Sequence, residues 1–100
     1  MPPAPAPPAA GADTVMEGPV LRVRLAGGWQ ISAARPNWAE TLAGRAPQRV
    51  VLEADGLADW DSSLLLFLFE TQLWCRMAGA YCDTKALPGK MHALLKQMSV

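Results

Sequence analysis

The sequence predicts an α/β fold: a mostly parallel mixed sheet of about four strands with helices packed on it. Three observations point there. Residues 20–25 (VLRVRL) alternate apolar and charged side chains with the period of a half-buried strand. Residues 49–54 (RVVLEA) hold an unbroken apolar trio, as a strand covered on both faces does. Segments of helical spacing fall between and after these, and strands alternating with helices are joined by crossovers that lay them parallel.

Taken in order, residues 1–18 read as a disordered Pro/Ala-rich tail. Such a composition cannot bury enough apolar surface to offset the entropy of ordering it. The folded domain is then residues 19–100. After the strand at 20–25, Gly27 and Gly28 suit a tight turn, and residues 29–32 run back as the second strand of a hairpin. Pro36 suits the first turn of a helix over 37–43, where its missing N–H has no partner to lose, and Gly44 ends that helix. Pro47 breaks the chain before the strand at 49–54, and Asp55 with Gly56 turns it. Asp61 or Ser62 then stands where an N-cap belongs. The helix they open runs to Ala78, and Gly79 accepts the left-handed conformation that closes it. A strand at 80–84 follows. Past the Leu87-Pro88-Gly89 break, residues 91, 94, 95 and 98 form the stripe of an amphipathic helix. The order is β-β-α-β-α-β-α, with the first hairpin antiparallel.

Composition excludes several functions. A chain of 100 residues fits one small domain. Nine Lys/Arg balance nine Asp/Glu with no basic run to track phosphates, so nucleic acid is not an expected partner. The apolar run at 64–69 is far short of the roughly 20 residues that span a bilayer, and residues 1–10 lack the basic and apolar regions of a signal peptide. A soluble, cytoplasmic chain is expected. Cys75 and Cys82 lack metal or redox spacing and read as reduced small hydrophobes. With a single histidine, His92, and no GxSxG elbow, a catalytic serine is not expected, and no GxxxxGK[ST] loop is present to bind a nucleotide. The chain is therefore read as a non-enzyme without a cofactor. Four tryptophans in so short a chain suggest that some face a partner.

The strand RVVLEA at 49–54, the turn DGLADW at 55–60, the triplet Asp61-Ser62-Ser63 opening a helix, and Ala78-Gly79-Ala80 after it resemble a STAS domain. That is the fold of sulfate-transporter C-terminal regions and bacterial anti-sigma factor antagonists. The likeness covers residues 20–98. Within the family the chain is similar to the short STAS domains of Mla-type lipid-transport ABC systems. Gly27-Gly28-Trp29 and the ending LPGKMHALL at 87–95 look like the permease-fused kind, which implies a transmembrane part continuing past Val100.

The resemblance implies a regulatory interaction domain at the inner face of the plasma membrane. Its partners would be an ABC ATPase subunit and the permease, with the membrane met only through that fused or associated permease, and a homodimer is a further possibility. The implied partner-binding residues are Asp61, Ser62, Ser63, Leu64, Phe67 and Trp74. In the alternative reading the chain is a stand-alone anti-sigma factor antagonist. Ser62 matches the family's phosphorylated position, and a phosphate there would add about −1.5 to −2 charge. Leu64 departs from the family, which usually has Gly after the triplet, and its apolar side chain suits a greasy contact beside the serines.

The helix supplies its own clue. At about 100° per residue, Leu65, Leu68, Phe69, Gln72 and Cys75 share one side, leaving Leu66, Phe67, Leu73, Trp74 and Met77 wholly or partly outward. A rival stripe of Leu66, Phe69, Leu73 and Met77 fits the spacing as well. Either way more apolar surface remains than one sheet face covers, and such patches mark protein contacts.

Overall fold

The computed structural model describes residues 10–30 and 35–98, and they form an α/β arrangement around one four-stranded sheet. Its first strand corrects the sequence reading. Residues expected in the unstructured tail form β1 (Gly11–Glu17), which pairs antiparallel with β2 (Val20–Trp29). The connection is the two-residue turn Gly18-Pro19, in which Gly18 takes φ 57, a conformation that favours glycine. β1 has few apolar residues of its own. It orders because β2 supplies a full ladder of hydrogen-bond partners and places Ala12 and Thr14 beside Leu25 and Val23 on the inner face.

Gly27 and Gly28 lie inside β2 and do not turn the chain. Gly27 has φ 80, and the register against the next strand shifts on both sides of it, so the glycines make a bulge. Of the expected return strand, Trp29 ends β2, Gln30 is outside any strand, and residues 31 and 32 lie outside the described residues.

β3 (Arg49–Trp60) runs parallel to β2, and β4 (Tyr81–Ala86) parallel to β3, giving the order β1-β2-β3-β4. β3 continues through Asp55 and Gly56, where a turn was expected. Among the described residues, helices cover one face of the sheet. Leu21, Val23, Leu25, Val50 and Leu52 are buried inward, while Arg22 and Arg24 are exposed. Val51, the middle of the apolar trio, sits half-buried on the open face, in register between Arg22 and Asp83. Ion pairs cross that face: Arg22 to Glu53 (3.0 Å) and Glu17 (3.5 Å), and Arg49 to Asp83 (2.6 Å).

The helices supply the other layer. α1 (Trp38–Leu42) opens on Asn37 as N-cap: its Oδ1 accepts the Glu40 N–H at 2.8 Å, and its side-chain amide donates to the Glu40 carboxylate at 2.8 Å. Arg45 closes it, donating to the carbonyls of Thr41 (2.8 Å) and Leu42 (2.9 Å) and to Thr14 Oγ1 of β1 (3.0 Å). α2 (Ser62–Ala78) packs on β3, β4 and α1, and α3 (Gly89–Met98) packs on α2 through buried Met91 and Leu95.

Candidate functional site

Trp29 and Trp60, the last residues of β2 and β3, stand in register at the C-terminal end of the two central strands. The Asp61 N–H donates to the Trp29 carbonyl at 2.9 Å, which pins the start of α2 to that end of β2. Asp61 is the N-cap of the two residues the sequence offered: its carboxylate accepts the Ser63 N–H at 2.8 Å. At the far end Gly79 takes φ 73 and donates its N–H to the Cys75 carbonyl.

The six residues singled out from the sequence separate here. Ser62 is exposed, and Asp61 and Trp74 are half-buried. Ser63, Leu64 and Phe67 are 3%, 0% and 2% exposed, which corrects the expectation that they are presented to a partner. Phe67 instead centres an aromatic row. Its ring meets Trp29 edge-on at 5.0 Å and Trp38 at 6.0 Å, and Trp38 meets Trp74 at 5.8 Å. Contacts of this geometry add about 0.5–1.5 kcal/mol each beyond the area they bury. Trp60 is half-buried with Lys90 Nζ 5.7 Å above its ring. Trp29 and Trp38 are thus core residues, and the surplus of tryptophan is largely spent inside the domain.

The buried stripe of α2 is neither of the two the spacing suggested. It runs Leu64, Leu68, Thr71 and Cys75, flanked by Leu65 and Phe67. Thr71 accounts for the difference. Its hydroxyl donates to the Phe67 carbonyl at 2.9 Å, so a polar residue satisfied within its own helix goes inside. Phe69 and Gln72 are left half-buried at the rim. Outward, Leu66 is 46% exposed, Leu73 42% and Met77 81%. With Ser62 and Glu70 they follow the i, i+4, i+8, i+11, i+15 line of one helix face.

The Ser63 hydroxyl has no hydrogen-bond partner, and His92 is half-buried on α3. Among the described residues no group of three or more His, Cys, Asp or Glu could hold a metal ion. Cys75 and Cys82 are free thiols packed in or against the core. The hydrogen bond with Cys75, together with burial, raises the Cys82 thiol, which keeps it protonated at neutral pH. No described helix is long and apolar enough to cross a membrane. Comparison of the sequence with protein-family models and with curated proteins found no match.

Proposed function

We propose that the chain is a non-enzymatic, STAS-like interaction domain of an ABC-type lipid-transport permease that docks on the cognate ATPase through the outer face of α2. One observation carries the reading. Leu66, Leu73 and Met77 stand exposed in a line behind Ser62, although the core beneath them is filled without their help. Apolar side chains in such a line gain from being covered, at about 25 cal/mol per Å², and partner contacts are commonly built this way. Asp61 and Ser62 provide a polar end to the line, half-buried Glu70 lies within it between Leu66 and Leu73, and half-buried Trp74 follows Leu73 in the chain. The succession of strands and helices supports the family resemblance that names the partner.

The experiment is co-purification of the tagged chain with the cognate ATPase. Leu73→Asp combined with Met77→Asp is expected to abolish capture while the melting temperature stays within about 3 °C, because both sites are on the surface. An unchanged yield of ATPase from the double variant would remove this face from consideration. Sedimentation of the chain alone tells whether a second copy takes the same stripe. A second reading, the antagonist switched by a serine kinase, is favoured by the exposure of Ser62 at a helix N-terminus. It requires a single phosphate on Ser62 after incubation with kinase and ATP, and loss of partner binding in Ser62→Glu.

A further inference from the structure

Cys75 and Cys82 are the only cysteines of the chain, and the fold turns them toward each other. Cys75 is the last inward-facing residue of α2, one turn on from Thr71. Gly79 and Ala80 donate their N–H groups to its carbonyl, Ala80 at 2.8 Å, so the chain doubles back there. β4 begins at once, and strand alternation decides which way its side chains point. Tyr81 stands in register with Arg49, whose guanidinium lies 4.9 Å from its ring on the open face of the sheet. Cys82, in register with buried Val50, points the other way, into the helical layer. The two sulfurs meet there, and the Cys82 thiol donates a hydrogen bond to Cys75. Cys75 is 2% exposed and Cys82 half-buried, so the pair is reached from the β4 side.

Two thiols in contact make a nucleophile and a resolving partner. The hydrogen bond from Cys82 lowers the Cys75 thiol, against the burial that raises it, and the same bond raises Cys82. One proton is therefore given up by the pair as a unit. The hydrogen bond is also the path by which the remaining proton crosses to Cys75, leaving the charge on Cys82, the sulfur nearer the surface. An unfolded chain would bring the two together only intermittently. Here the last turn of α2, the left-handed Gly79 and the start of β4 hold them in place.

We propose that Cys75 and Cys82 form a reversible dithiol–disulfide site, oxidised by a small-molecule disulfide. With oxidised glutathione as the probe, the Cys82 thiolate attacks one sulfur and the glutathione S–S bond breaks. The first glutathione leaves as its thiol, taking up the proton the pair had lost. Cys75 then attacks the Cys82 sulfur, the mixed disulfide breaks, and the second glutathione leaves with the Cys75 proton. The chain gives up two electrons and two protons, and the glutathione disulfide gains both. This chemistry makes no use of the outer face of α2, so it stands or falls independently of docking. The full chain is equilibrated in mixtures of reduced and oxidised glutathione, once folded and once in concentrated urea, then quenched with acid and weighed by mass spectrometry. The folded chain is expected to become two hydrogens lighter, with the peptides carrying Cys75 and Cys82 linked. The effective concentration of one thiol toward the other is expected to be at least about tenfold higher in the folded chain than in urea. By linkage, the oxidised chain then melts at least about 5 °C above the reduced one. Cys75→Ala stops at the mixed disulfide of Cys82 with glutathione, and Cys82→Ala leaves a buried thiol that stays unmodified while the chain is folded. The proposal is overturned if the folded wild-type chain does not react, if it keeps glutathione or links to a second chain, or if it oxidises no more readily than in urea.

Discussion

Leu66 and Phe67 are neighbours in the chain and opposites in environment: one is 46% exposed and the other is wedged between two indole rings. Both are large and apolar, so composition cannot rank them. Their positions around the helix can, once Thr71 is known to face inward. Phe67→Ala would remove a ring that fills the space between Trp29 and Trp38, and large-to-small changes of this kind cost about 3–5 kcal/mol. Leu66→Ala is expected to change stability by no more than about 0.5 kcal/mol. Urea unfolding of the two variants measures the contrast. Equal losses would mean that the stripe of α2 is rotated from the one described. Among the site residues, Asp61 as a cap and Ser62 as an exposed hydroxyl were legible, because capping chemistry is local. Ser63, Leu64 and Phe67 were not, because their burial is decided by α1 and β2, far away in sequence.

At the scale of elements, punctuation was read more reliably than partnership. The ends of α2 were marked by Asp61 and Gly79, whereas α1 is closed one residue before the expected Gly44, by Ala43 with φ 53. Gly27 shows the limit: a glycine records a need for positive φ without saying whether the chain turns or bulges. A cleft beside Ser63 was out of reach, since it forms only when residues 35–37 meet residues 63–70. A testable tie joins β3 to β4. The Lys85 backbone N–H, and after it the Arg49 guanidinium, hold the Asp83 carboxyl below its usual value of 3.8. Because the folded value is the lower one, the stabilisation is fully present above the unfolded value and is lost as pH falls through the folded value. Urea midpoints taken from about pH 6 down to about pH 2 should therefore decline at the acid end, and less steeply in Asp83→Asn. Identical acid limbs in the two proteins would show that Asp83 is not held in this way.

Among the described residues the sheet has helices on one face and exposed charged side chains on the other, and this layering depends most visibly on β1. It is an edge strand whose outer side chains, Asp13, Val15 and Glu17, are exposed, so its own burial is slight. Its effect lies elsewhere: it covers the backbone edge of β2, the strand that buries Leu21, Val23, Leu25 and Trp29. Thr14 also receives the Arg45 guanidinium that closes α1, so β1 is fastened to the helical layer as well as to the sheet. Deleting residues 1–18 would therefore do what deletion of a disordered tail would not. It would expose a row of unpaired N–H and C=O groups on β2, a template for pairing with another chain, and release one hand of Arg45. We expect the truncated chain to melt at least about 5 °C below the full one, which for a domain of this size corresponds to about 1 kcal/mol. It should also elute earlier from a sizing column as its concentration rises. A truncated chain with unchanged melting temperature and elution would mean that β1 contributes nothing to the fold, and that the sheet ends at β2.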